Sequence, residues 1–257
     1  MRLVSYNILD GGAGRADPLG EVLEAQNADV IVLVEAIDAW VAERTARRLG
    51  MTSVTAAGEK DTVTVLSRWP VGPHLNRAGS DQAGPRAWLE VELRPPDAPP
   101  VVLHAVHLHA RAMAADEEKR LTQIARVLDA TQRQREANVP HVLAGDFNAN
   151  APRQRIAIER SKPTTRVAYA ANGNVIPRDV VAALLEHGYT DTLAAVHGDA
   201  AFDQATFTTH WPAQRVDYVF THGLPREAIV DAWIETDRLA TYASDHYPIG
   251  VELRLTR

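Results

Sequence analysis

The stretch HVLAGDFNAN, residues 141–150, decides the fold. Residues 141–144 read as a strand. The strand runs straight into Gly145-Asp146-Phe147-Asn148, where Gly, Asp and Asn favour a turn. A strand that ends in a carboxylate and an amide presents both groups at the rim of a sheet. Loops at such rims are where a rigid scaffold displays catalytic side chains.

Working outward, the same arrangement recurs. Residues 2–8 read as a strand with Asn7 at its end. Residues 29–35, DVIVLVE, are almost continuously apolar, as expected of a strand buried on both faces, and they end on Glu35. Residues 61–67 alternate as a half-buried strand. Residues 87–93 and 101–108 form two more strands joined by the turn-rich RPPDAPP, with His107 near the end of the second. Residues 216–221, 228–235 and 249–255 complete the strands, with Asp217, Asp245 and His246 at or just outside their ends.

Helices fall between. Residues 18–26 read as a short helix with Asp17 as N-cap and Pro18 in the first position. Residues 38–49 are helical and stop at Gly50. Residues 114–135 form a long helix whose stripe is Leu121, Ile124, Val127 and Leu128, with Asp116 and Arg120 as a supporting i,i+4 pair. Residues 180–186 form another, and residues 150–178 read as a loop or insertion. Many strands in mixed order with few helices predict an α/β fold of two packed sheets flanked by helices. No linker is evident, so all 257 residues are expected to form a single domain.

Composition narrows the field. The chain is 46% hydrophobic and 23% charged, which is ordinary for a globular protein and excludes disordered and collagen-like classes. No apolar run approaches the roughly 18 residues of a membrane span. There is no Cys, so disulfides, thiolate nucleophiles and Cys-based zinc sites are excluded. The N-terminal MRLVSYNIL has no signal-peptide pattern, so a cytoplasmic protein is expected. The 27 basic and 33 acidic residues give a net charge of -6, which argues against a surface that grips nucleic acid everywhere but not against a local basic cleft.

Each polar residue at a strand end has an ordinary reading alone: a turn cap, a satisfied histidine, a surface ion pair of Asp217 with Arg215. Their conjunction suits a hard cation and a phosphate. Mg²⁺ takes one or two carboxylates and shares the substrate phosphate, with Mn²⁺ an alternative. Glu35 and Asp245 are candidate ligands, Asp146 a candidate general base, and His246 a candidate donor to phosphoryl oxygens.

These residues also carry a resemblance. SYNI at 5–8, LVE at 33–35, VLSRWPV at 65–71, VHL at 106–108, GDFNA at 145–149, RVDYVF at 215–220 and SDHYPI at 244–249 occur in the order seen in the endonuclease/exonuclease/phosphatase family. The resemblance spans residues 5–249. It implies the deoxyribonuclease I-like four-layer α/β sandwich and hydrolysis of a phosphoester by in-line attack of water. By that resemblance Glu35 is the principal metal ligand, helped by Asn7 and Asp245. Asp146 orients or deprotonates the water, with Asn148 beside it. Asp217 orients His246, and His246 and His107 contact phosphate oxygens. Leu9 stands where some members have a second acidic residue, so one metal is the simpler reading. Asp61 or Glu59 is the candidate carboxylate partner of His107.

Residues 151–178 add a local excess of charge: Arg153, Arg155, Arg160, Lys162, Arg166 and Arg178 against Glu159. Arg153, Arg155 and Arg166 are candidate substrate contacts, and Trp211 a candidate cleft aromatic. The alternative is a solvated loop. His104 and His109 read as structural or surface residues. The leading expectation is a nuclease acting on DNA or RNA, with no protein partner. The alternatives are a phosphodiesterase or phosphatase for a phospholipid or small molecule, and a non-catalytic binding module on the same fold.

Overall fold

The apolar run at residues 29–35 sets the layering. In the computed structural model, which describes residues 1–59, 61–79 and 83–255, it contributes the strand β2, Val30–Val34. Val30, Val32 and Val34 point into a core between two sheets, while Ile31 and Leu33 point the other way, against helices. Both faces of β2 are therefore buried, and alternation in its sequence disappears.

The first sheet has β2 at its centre. On one side lie β1 (Arg2–Asn7), β12 (Ile249–Leu253) and β11 (Ile229–Ile234), and on the other β4 (Thr62–Ser67) and β3 (Thr52–Ala57). Helices α1 (Ala16–Ala25), α2 (Ala39–Leu49) and α7 (Arg238–Ala243) cover its outer face. The second sheet runs β5 (Val71–Asn76), β6 (Ala87–Leu93), β7 (Val101–His107), β8 (His141–Asp146), β10 (Asp217–His222) and β9 (Thr190–Asp191). Helices α3 (Ala114–Glu136) and α5 (Asp179–Glu186) pack on its outer face. The order helix, sheet, sheet, helix is the four-layer sandwich of the deoxyribonuclease I-like fold. In each sheet one pair is parallel, β1 with β2 and β7 with β8, and all other pairs are antiparallel. Among the described residues no helix is long and apolar enough to cross a membrane.

Several local expectations are corrected. Helix α1 begins at Ala16, so Asp17 lies inside its first turn rather than at the cap, and its carboxylate accepts from Arg44 Nη2 at 2.6 Å. Pro18 is tolerated because first-turn amides have no intrahelical acceptor. Arg120 pairs with Glu117, not Asp116. Asp116 instead accepts from the Met113 amide and lies 2.8 Å from His109 Nε2. Residues 150–178 are not one loop, since they hold a 3-10 turn at Ile158–Arg160 and helix α4, Pro163–Ala171. Strands β3 and β5 escape the sequence pattern because they are mostly exposed edges. Helices α7 and α6 (Thr192–His197) span six residues each, too few to show a helical period.

One glycine is dictated by this packing. Gly145 has φ 145°, and a Cβ there would lie 1.9 Å from the Val106 carbonyl oxygen on the neighbouring strand. Gly145→Ala is expected to cost about 2 kcal/mol or more, lowering the melting temperature by roughly 5 °C. Gly14→Ala, at φ 73° with nothing within 4 Å, carries backbone strain without the clash, serves as the control and should shift it less. Equal shifts in a thermal melt would contradict the close-approach argument.

Candidate active site

The sheet register brings three of the site residues into one row. In the parallel pair β7–β8, His107 is opposite Asp146, and in the antiparallel pair β8–β10, Asp217 is opposite Asp146. Register partners project to the same face. His107, Asp146 and Asp217 are each about 1% exposed. Phe147 then turns into the core, edge-on to Tyr218 and Phe220 with centroids 5.7 and 5.2 Å away. That anchor fixes the chain immediately after Asp146.

The other sheet supplies the facing groups. Asn7 is the last residue of β1, and Glu35 follows β2 in a left-handed turn with φ 59°. Asn7 Nδ2 donates to Glu35 Oε1 at 3.1 Å and to Asp146 Oδ2 at 3.0 Å, so one amide ties the two sheets together. Its Oδ1 accepts from the Leu9 amide, and Glu35 Oε2 accepts from the Asp10 amide. Asn7, a candidate metal ligand by sequence, turns its amide nitrogen toward both carboxylates.

Asp146 is the hub. Its Oδ1 accepts from the Asn148 amide at 2.8 Å, which closes the turn and holds Asn148 at φ 48°. Its Oδ2 lies 3.5 Å from His107 Nε2 and 3.9 Å from His246 Nε2. The Asn148 side chain donates to the Leu108 carbonyl and sits 3.1 Å from His107 Nε2.

Each histidine has its own carboxylate. His246 Nδ1 contacts Asp217 Oδ2 at 2.8 Å, which fixes the tautomer and leaves Nε2 facing Asp146 and Asp245. His107 Nδ1 contacts Asp61 Oδ2 at 2.7 Å, and Arg86 Nη2 reaches the same oxygen at 3.0 Å. Of the two candidate partners of His107, Asp61 occupies the place and Glu59 is exposed. The surface pair of Asp217 with Arg215 does not form. Arg215 is fully buried and bonds Asp191 through both terminal nitrogens.

Burial and charge set the protonation states. Burial opposes a charged His246, but the Asp217, Asp146 and Asp245 carboxylates outweigh it and raise its pKa to about 10. Burial likewise opposes charge on His107, and Asp61 and Asp146 outweigh it. Asp146 is pushed up, first by burial and then by Asp217, with His246 and His107 acting against them. Asp61 is held down despite burial by His107, the Thr62 amide and Arg86. A charged His246 therefore stands beside a carboxylate, Asp146, whose pKa is raised to about 6.

The donor set suits a divalent cation. Two groups of ligand atoms, Glu35–Asp61–His107 and Asp146–Asp217–His246, each lie within 4.8 Å of one another. Asp245 Oδ1 is buried without a hydrogen-bond partner, and Oδ2 accepts from Lys162 Nζ at 3.0 Å. Oxygen-rich clusters of this kind match hard cations.

The four candidate substrate contacts separate. Arg166 and Trp211 line one depression together with Lys162 and Arg160. Arg153 and Arg155 do not reach it. They form exposed ion pairs with Asp199 and Asp203. Sequence reasoning missed Phe207 and Ser244, and it counted Lys162 only among the charges of residues 151–178. Phe207 packs on the His246 ring at 4.6 Å, and Ser244 Oγ donates to the Asn7 carbonyl.

A family model for the endonuclease/exonuclease/phosphatase family matches residues 4–246. The chain belongs to this family. Its members hydrolyse phosphoester bonds with a divalent metal, and the chain is a hydrolase of that class. No curated protein sequence is significantly similar to the chain. Among solved structures, an endonuclease/exonuclease/phosphatase from Beutenbergia cavernae DSM 12333 is 23% identical, with a TM-score of 0.73 over 100% of this chain and 72% of that one. A 3′ phosphatase from Neisseria, bound to a product DNA hairpin, is 18% identical, with a TM-score of 0.73 over 99% of both chains. An AP endonuclease from Archaeoglobus fulgidus is 15% identical, with a TM-score of 0.75 over 99% of this chain and 100% of that one. At these identities the likeness is one of fold.

The raised pKa of His246 has a signed consequence. The stability this group contributes is fully present below the unfolded value of about 6.5 and is lost as pH rises through about 10. NMR titration is expected to show His246 protonated past pH 9 in the native protein and releasing its proton at clearly lower pH in Asp217→Asn. An unchanged midpoint in the variant would remove Asp217 from this role.

Proposed function

We propose that this family member is a Mg²⁺-dependent phosphodiesterase whose substrate is DNA or RNA. The observation that carries the reading is the hub at Asp146. One buried carboxylate is met by the Asn7 amide, by His107 and by His246, each histidine backed by its own aspartate.

Each residue then has a role. By the family resemblance Glu35 and Asp245 are the carboxylates that would hold the metal, and the Asn7 amide bonds Glu35. When bound, the cation supplies positive charge that neutralises phosphoryl oxygens. Asp146 takes the proton of a water as the water oxygen attacks phosphorus in line and the ester P–O bond breaks. His246, charged and held by Asp217, donates Nε2–H to a phosphoryl oxygen. His107, with the Asn148 amide 3.1 Å from its Nε2, would contact a second oxygen of the same phosphate. Donors fixed before the reaction need no reorganisation as charge develops.

Nucleic acid is favoured over a smaller phosphoester by the depression beside the site, which combines Arg160, Lys162, Arg166 and the exposed Trp211. Cations with an aromatic face suit a backbone phosphate and a neighbouring base. The Neisseria 3′ phosphatase of the same fold holds a DNA hairpin, which agrees with this choice.

The test is nicking of supercoiled plasmid, and cleavage of single-stranded DNA and RNA, with Mg²⁺. Wild type is expected to cleave at least one of them, and Asp146→Ala to be slower by about 10²–10⁴-fold. Equal rates would reject Asp146 as the base. Failure of wild type on every nucleic acid, with hydrolysis of small phosphodiesters retained, would reject the nuclease reading alone.

A further inference from the structure

Lys162 stands at a junction. It lines a depression of about 200 Å³ together with Asn148, Phe207 and Gln214, and a second of about 440 Å³ with Arg160, Arg166, Thr208 and Trp211. Both volumes far exceed the roughly 30 Å³ of one water, so neither is a packing defect. The first depression borders the proposed catalytic row through Asn148. The second contains none of that row's residues.

The Lys162 ammonium is placed to serve a ligand. Its side chain is 47% exposed, and the stem is held with Nζ 4.4 Å from the centre of the Phe207 ring. The pair it makes with Asp245 is partly open to solvent, and such pairs hold weakly. The second depression also carries an excess of positive charge, with Arg160, Lys162 and Arg166 lining it against the single acid Glu159. Among the described residues no ion pair engages Arg160 or Arg166, and Arg166 Nη1 donates to the Glu159 carbonyl. The nearby Arg153 and Arg155, by contrast, are matched by Asp199 and Asp203. Trp211, 68% exposed, adds a free aromatic face to the same depression.

We propose that Lys162 is a substrate-binding residue that holds a non-scissile phosphate of a nucleic-acid strand where the strand passes from the catalytic row into the Arg160–Arg166–Trp211 depression. A phosphoester that ended at the scissile group would leave this second surface unused. A strand places its next phosphate against Lys162 and a base against Trp211. Lys162 then exchanges Asp245 for the phosphate, leaving that carboxylate free for the cation. The proposal rests on the nuclease reading and adds to it a specific residue and a direction for the strand.

The experiment measures binding of a fluorescent single-stranded oligonucleotide to the slow Asp146→Asn protein at fixed Mg²⁺ over a series of salt concentrations. It is repeated with Lys162→Gln and with Lys162→Arg added. The plot of log K against log salt is expected to flatten by about 0.7 with Lys162→Gln, the loss of one phosphate contact, and to recover with Lys162→Arg. An unchanged slope with Lys162→Gln would overturn the proposal. A fall that arginine does not restore would also overturn it, since the residue would then be structural. If Asp146→Asn with Lys162 intact shows no salt-dependent binding, the nuclease reading itself fails and this proposal falls with it.

Discussion

The pairing of β8 with its two neighbours is the constraint on which the site depends. Parallel alignment with β7 puts His107 beside Asp146, and antiparallel alignment with β10 puts Asp217 on the other side. A slip of one residue in either pair would turn one member of the row to the opposite face. Gly145 makes the alignment sterically possible, because any side chain there would meet the Val106 carbonyl. Phe147 completes the constraint by locking the chain into the core one residue after the hub.

Packing sheet on sheet then supplies the second half. Asn7 and Glu35 leave adjacent parallel strands of the first sheet and face Asp146 across the interlayer rim. The interface beneath is made of small and branched residues such as Val32, Val34, Val65, Ala105 and Ala144. These bring the two sheets close enough for one amide to bridge them. The cost is electrostatic. Asp61, Asp146 and Asp217 are almost fully buried, and burying a carboxylate without partners is costly. Arg86, His107 and His246 offset that cost, and the same contacts set the protonation states that hydrolysis needs. Stability and chemistry are thus carried by one network.

Much of this was legible in the sequence because sheets reveal themselves through burial. The continuous apolar run of β2 and the GDFNAN turn each follow from local rules, and they locate Glu35, Asp146 and Asn148 without coordinates. Order along the chain, from Asn7 to His246, carried the family resemblance. Long-range pairing was not legible. Two carboxylates near residue 60 were equivalent as sequence, and only the packing of β4 beside β7 distinguishes buried Asp61 from exposed Glu59. The pairing of Arg153 and Arg155 with Asp199 and Asp203, more than forty positions away, was not visible in the sequence. Lys162 was submerged in a count of charges, although its pairing with Asp245 sets it apart from the arginines around it.

The central claim is that water, held by Asp146, attacks phosphorus directly while His246 remains a charged donor. The stereochemistry at phosphorus tests it most directly. An oligonucleotide with one chiral phosphorothioate, cleaved in ¹⁸O-water, should give product with inverted configuration at phosphorus. Retention would require two displacements through a covalent intermediate and would contradict the account.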